Sequence, residues 1–230
     1  MRKLNTAIIM CAGFGKRLKP LTNKVPKPLL KIDNKSLLEN TIDLLFKLKI
    51  KKILLNSHHL SQQIKQFVLE KKLSKKIKVF EEKRKILNTG GGISNIINSS
   101  RVKDYLILNP DTIWNLNYVN EIKAMEQVYF KSNTKNILMV VRKEKSFDKR
   151  FKGDFILVEN ILFKEENNNF IFTGIQIINK DVFNDVTKKY FSINEIWDNN
   201  IKNKKLFGFE SQKDFIHLTD IEIYRKLINN

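Results

Sequence analysis

The 230-residue sequence predicts an α/β fold: a single Rossmann-like domain over residues 1–230, with a mixed, mainly parallel sheet flanked by helices. Three observations carry this expectation. Short apolar runs alternate with segments of helical period through the first half of the chain. The first run leads straight into a small-residue loop, Cys11-Ala12-Gly13-Phe14-Gly15. The chain is also long enough, and at 42% hydrophobic apolar enough, to bury one sizeable core.

The elements follow in order. Residues 4–10 end in an unbroken apolar run, as a strand covered on both faces requires. Ser36 opens a helix in which Leu37, Leu38, Ile42, Leu45 and Leu48 recur on one face. Residues 52–56 read as a strand, 60–72 as a helix and 77–81 as a third strand. The triple glycine Gly90-Gly91-Gly92 reads as a loop that opens a helix over 93–98. A strand at 104–109, a helix to about residue 130 and a strand at 137–142 complete the regular half. Strands at 154–158 and 170–178, antiparallel to one another, flank a polar turn at 165–169. Short helices at 181–186 and 192–200, a strand near 206–210 and a closing helix from residue 220 finish the chain. Such βαβ order places ligands at the carboxyl ends of the strands.

The chemistry concentrates in residues 7–29, AIIMCAGFGKRLKPLTNKVPKPL. Glycines let the backbone approach a ligand, and consecutive loop amides can point at phosphate oxygens. Arg17 and Lys27 add full charges where polyphosphate charge builds up. The P-loop pattern is absent, and the dinucleotide fingerprint fails because Leu18 stands at its third glycine. What remains, G-x-G-x-R followed by Pro20-Leu21-Thr22 and Pro26-Lys27-Pro28-Leu29, resembles the sugar-phosphate nucleotidyltransferase (nucleotide-diphosphosugar pyrophosphorylase) family. The resemblance spans essentially the whole chain. It is nearest to the compact N-acetylmuramate 1-phosphate uridylyltransferases and mannose-1-phosphate guanylyltransferase-like proteins, without a C-terminal β-helix extension.

The resemblance implies transfer of a nucleotidyl group from an NTP to a sugar 1-phosphate, with Arg17 and Lys27 as catalytic cations. UTP and an N-acetylated amino-sugar 1-phosphate are the expected pair, in cell-wall recycling; GTP with mannose 1-phosphate and CTP with phosphocholine are alternatives. A nucleotide-sugar sensor without turnover is a reading from a different class. Ala12, Gly13 and Gly15, with Asn88, Thr89, Gly90 and Gly91 of a segment like E-T-G-G-G-I, would receive the nucleotide. Asp154, Thr173 and Gly174 fall in segments that resemble the sugar site. Asp111, in Asn109-Pro110-Asp111-Thr112, matches the family's metal aspartate; His217 or Asp220 would be the second ligand, depending on register, with His217 preferred. Magnesium is the expected ion, and manganese accepts imidazole more readily. Asn56 is a further candidate, whereas His58 and His59 lack metal-ligand spacing and are expected on the surface.

Composition limits the partners. The net charge of +19 suits nucleic-acid binding, but the excess is mainly lysine spread along the chain, with the abundant Asn and Ile of an A/T-biased coding sequence. Nucleic acid is therefore not an expected partner; no membrane partner is expected either, and the protein is expected as a monomer or small homo-oligomer. No apolar run is long enough for a membrane span, and no cleaved leader is expected. The single cysteine, Cys11, excludes an internal disulfide and fits a cytoplasmic location.

Overall fold

A computed structural model describes residues 2–229. The chain runs β1 (Thr6–Met10), a hairpin of β2 (Lys31–Ile32) and β3 (Lys35–Ser36), α1 (Leu37–Lys47), β4 (Lys52–Ser57), α2 (Ser61–Glu70), β5 (Ile77–Glu81), α3 (Asn88–Asn98), β6 (Asp104–Leu108), α4 (Tyr118–Lys131) and β7 (Asn136–Arg142). It continues through β8 (Ile156–Val158), β9 (Ile161–Phe163), β10 (Phe170–Asn179), α5 (Ile193–Lys202), β11 (Phe207–Glu210) and α6 (Ile221–Ile228). One nine-stranded sheet has the order β5-β4-β1-β6-β10-β7-β11-β9-β8. Strands β5, β4, β1 and β6 are parallel, and β10 is inserted antiparallel between β6 and β7.

Apolar runs without alternation form these central strands because both sheet faces are covered. Within β1, Ile9 packs toward α1, α2 and α4, while Ile8 packs toward α3 and α5. Ser36 caps α1 by accepting from Glu39 N at 3.1 Å, and Ser192 caps α5 in the same way. Among the described residues no helix is long and apolar enough to cross a membrane.

Two expectations about the second half change. The strand near 154–158 has a single ladder bridge to β10, Phe155–Phe170, and β8 instead pairs with β9. Glu159 and Asn160, both at positive φ, make that turn tight, and Asp33 and Asn34 do the same between β2 and β3. The expected helix at 181–186 is a short 3-10 turn, Lys180–Phe183.

Candidate active site

The site sits at the carboxyl ends of β1, β4 and β6, next to the strand where the chain's direction of winding reverses. As the chain leaves β1, Cys11 N donates to Asn56 Oδ1 at 2.7 Å. Asn56 in turn donates to buried Glu82 Oε1 at 2.8 Å, and Glu82 Oε2 accepts from Leu87 N. This bracket fixes the start of the glycine loop, so Asn56 supports the site from beneath it. Burial raises the Cys11 thiol well above its usual range, which leaves a packing group and not a nucleophile.

In the loop, Gly13 faces open space, while Gly15 has φ +61° and no room for a side chain. A Cβ on Gly15 would stand 2.7 Å from Thr22 Cγ2. Among the described residues, the amides of Gly13, Phe14 and Gly15 donate to no protein acceptor. The Phe14 ring packs 5.3 Å from His58 and 5.6 Å from His59, whose other contacts are the Glu82 and Thr22 carbonyls. The two histidines are thus half-buried braces of the glycine loop, in place of the surface position expected for them.

Lys27 and Asp111 meet although 84 residues apart: Lys27 Nζ lies 2.7 Å from Asp111 Oδ2. His217 Nε2 lies 3.6 Å from the same oxygen. An antiparallel bridge between Thr112 and His217, with Leu218 N donating to the Asp111 carbonyl at 2.8 Å, holds that approach. Arg17 is exposed, and its charge reaches His217. Burial alone would raise the Asp111 carboxyl, but the charge and hydrogen bond of Lys27 hold it well below its ordinary range. Burial, with Lys27 and Arg17 adding to it, lowers the His217 imidazole against the opposing pull of Asp111.

The proton on His217 can be assigned from its partners. Thr112 Oγ1 gives its hydrogen to the Thr173 carbonyl at 2.7 Å, so it accepts from His217 Nδ1 at 3.2 Å. Nε2 is then the bare nitrogen, and it faces a carboxylate whose Oδ1 is buried without a partner. A lone pair and a carboxylate facing one another suit a cation, and two protein donors leave further positions for substrate and water. Asp220 is not brought here. Its Oδ1 caps α6 through Glu222 N and Ile223 N, and its Oδ2 pairs with Arg150 at 2.8 Å. It is committed to the fold, and only the register that puts His217 beside Asp111 brings a second donor to the centre.

A cavity of about 230 Å³ opens from His217 between Asn109, Asp154, Phe172, Gly174 and Trp197. Asp154 lines it while accepting from Phe172 N at 2.8 Å. Thr173 also lines it, with its hydroxyl hydrogen given to the Met139 carbonyl at 3.0 Å. Gly174, at φ +98°, sits in the β10 bulge. The 88–92 segment differs more. It is the first part of α3 and not a loop, and its glycines accommodate protein. A Cβ on Gly90 would strike Phe191, one on Gly91 the Lys189 carbonyl, and one on Gly92 would lie 2.8 Å from Asn56 Nδ2. On their Cβ side Gly90 and Gly91 are covered by residues 189–193. Thr89 Oγ1 accepts from Ile193 N at 3.0 Å, and exposed Asn88 accepts from Thr89 N.

Comparison with known proteins gives this geometry a family. The profile described as nucleotidyl transferase matches residues 6–191. The chain belongs to the sugar-phosphate nucleotidyltransferases. It is 30% identical to a D-glycero-alpha-D-manno-heptose 1-phosphate guanylyltransferase of Campylobacter jejuni, over 97% of this chain and 99% of that protein. It is 23% identical to an N-acetylmuramate alpha-1-phosphate uridylyltransferase of Caulobacter vibrioides, over 93% of this chain and 91% of that one. The inositol-1-phosphate CTP transferase from T. maritima shares the fold with a TM-score of 0.80 at 17% identity, covering 98% of this chain and 95% of that structure.

Sequence reasoning about this nucleotidyltransferase did not single out Thr112, Glu82 or Trp197. Thr112 orients His217, and Trp197 walls the cavity edge-on to Phe172 at 4.8 Å. No local signal marks any of the three. Glu82 is one of two adjacent glutamates, and only its burial separates it from Glu81.

Proposed function

We propose that this transferase joins the nucleotidyl group of an NTP to a sugar 1-phosphate. An oxygen of the sugar phosphate attacks the α-phosphorus, the bond to the β-phosphate oxygen breaks, and pyrophosphate leaves. The observation that carries this reading is the Lys27–Asp111–His217 cluster, set between the glycine loop and a polar cavity. Unpaired loop amides and exposed Arg17 take the triphosphate, and Lys27 offsets charge on the transferring phosphoryl group. The cavity holds the sugar. Asp111 and His217 would hold a divalent ion, magnesium or manganese, which would neutralise phosphate charge. The single, buried cysteine favours a cytoplasmic location.

The favoured substrates are GTP and a neutral sugar 1-phosphate of the heptose or hexose class. End-to-end likeness to the heptose guanylyltransferase supports the base. The cavity supports the sugar: it presents the Asp154 carboxylate, and its one lysine, Lys164, is already paired with Asp198 at 2.6 Å. Hydroxyls match such a lining, whereas a second carboxylate is repelled. The second reading, UTP with N-acetylmuramate 1-phosphate, rests on Asn88-Thr89-Gly90-Gly91-Gly92-Ile93 and on the uridylyltransferase likeness. A panel of four NTPs against neutral and carboxylated sugar 1-phosphates, read by pyrophosphate release and nucleotide-sugar formation, decides between them. Nucleotide binding without turnover on any pair and metal would reject both.

A further inference from the structure

The lysines that look scattered in the sequence are gathered by the fold. The amino ends of β5, β4, β1, β6, β7 and β11, with the carboxyl end of β10, form the pole opposite the active site. Backbone bonds tie their loops together: Lys51 N to the Asn5 carbonyl, Ile53 N to Lys76, Lys180 N to Lys103, and Asn179 N to Lys135. Segments 2–5, 47–52, 70–76, 101–104, 131–135, 180–181 and 202–205, 32 residues in all, hold 18 of the 43 basic residues and three of the 24 acidic ones. All of those basic side chains except Lys180 are exposed. Three are paired, Arg2 with Asp104, Lys71 with Glu39 and Lys135 with Asp181.

Neither coding bias nor helix dipoles account for this arrangement. Codon bias would spread lysine evenly, whereas these 32 of the 230 residues hold 18 of the 43 basic ones, about three times an even share. A cation in each last helical turn complements the dipole, but Lys49, Lys51, Lys52, Lys75 and Lys76 lie beyond the helices. The face is also two-dimensional. Seven strand ends at about 4.8 Å spacing give an edge of about 29 Å. Helix ends from both covering layers, α1, α2 and α4 on one side and α3 and α5 on the other, widen it.

We propose that this pole is a docking face for an anionic membrane surface, which would leave the catalytic cleft pointing away from the lipid. A linear polyanion would touch one strip of such a face, whereas a plane of anionic headgroups touches all three layers. All but Arg2 and Arg101 of these cations are lysine, which suits diffuse attraction to headgroups more than bidentate phosphate or base contacts. The lack of an apolar run long enough for a span argues against insertion and not against docking of an exposed charged face.

The test uses the full chain and vesicles of phosphatidylcholine alone or with one-third phosphatidylglycerol, followed by sedimentation at about 0.05 M and about 0.5 M NaCl. Binding is expected only with the anionic lipid and only at the lower salt. Replacing Lys49, Lys51, Lys72 and Lys75 together by Gln should weaken it at least tenfold with turnover unchanged. Replacing Lys83, Lys85, Lys149 and Lys152 at the other pole should weaken it by less than about threefold, since headgroup attraction decays within about a Debye length. Absence of binding at low salt, or equal loss in both quadruple variants, overturns the proposal. So does tighter binding to RNA or duplex DNA that depends on the same four lysines, which would assign the pole to nucleic acid.

Discussion

Lys27→Ala separates two roles that one ammonium group can fill. The Lys27–Asp111 pair is 2.7 Å long, and its side chains retain 14% and 23% exposure. At an effective dielectric near 20 the gross attraction is about 6 kcal/mol, most of it offset by desolvation. Losing the lysine leaves a buried carboxylate whose Oδ1 already lacks a partner. A stability loss of about 2–3 kcal/mol is expected on that account. Turnover should fall by about 10²–10³-fold, the scale for removing one charge from a transferring phosphoryl group. Denaturant unfolding reads the first effect, and pyrophosphate release at saturating substrates, scaled to folded protein, reads the second. Adding Asp111→Asn to Lys27→Ala should recover stability, because the uncompensated charge is gone, yet recover no turnover. If folded Lys27→Ala protein works within about threefold of the parent, Lys27 is only the counter-ion of Asp111 and the proposed centre is wrong.

Other perturbations follow from neighbouring geometry. Gly15→Ala forces an alanine to φ +61° against Thr22 and should cost about 1–3 kcal/mol by thermal unfolding, whereas Gly13→Ala, in open space, should keep stability and weaken NTP binding alone. His217→Ala should change the metal dependence of turnover while Asp220→Ala lowers melting temperature with the metal response intact; the reverse pattern would restore Asp220 as the ligand. Arg150 holds the buried Asp148 carboxyl down at about 2, from an ordinary 3.8. Because the folded value is depressed, the contribution is complete above about pH 4 and fades as pH falls toward 2, amounting to about 1–2 kcal/mol once screening at the half-exposed guanidinium is allowed for. A plot of unfolding free energy against pH should lose that slope in Asp148→Asn, and an unchanged slope would place the acid sensitivity elsewhere.

The sequence revealed whatever is local. Residues 52–56 were legible to within one, since a strand covered on both faces needs an apolar run, and 77–81 to the residue, as a short segment of alternating apolar and polar residues that became an edge strand. The Asp33-Asn34 and Glu159-Asn160 turns carry no glycine, and the strands they join are two or three residues long, so neither hairpin stood out. The triple glycine was misread for a physical reason. Glycine is a poor helix former, yet α3 needs it at successive positions because the 189–193 segment and the Asn56–Glu82 pair crowd the helix. Tertiary contact overrode propensity there. The basic pole was invisible in the same way, since strand order, not sequence spacing, brings residues 51, 76, 103 and 135 to one edge.

The candidate site depends on β10, the strand that breaks the parallel pattern in the middle of the sheet. β10 enters antiparallel beside β6, and its pairing with β7 shifts register between Phe172 and Gln176. Gly174 permits that bulge at φ +98°, with its position 3.1 Å from Asn109 Cβ where a side chain would begin. The bulge presents the Thr173 carbonyl to Thr112, which fixes the hydrogen of that hydroxyl and so the tautomer of His217. His217 then turns a bare nitrogen toward Asp111, which sits in the same turn as Thr112. Three segments far apart in the chain, at 111–112, 173–174 and 217, are thereby set by one kink. A regular β10 would keep the sheet and the glycine loop but lose the orientation of the imidazole, so the parallel half carries the glycine loop and the antiparallel insertion orients His217 toward Asp111.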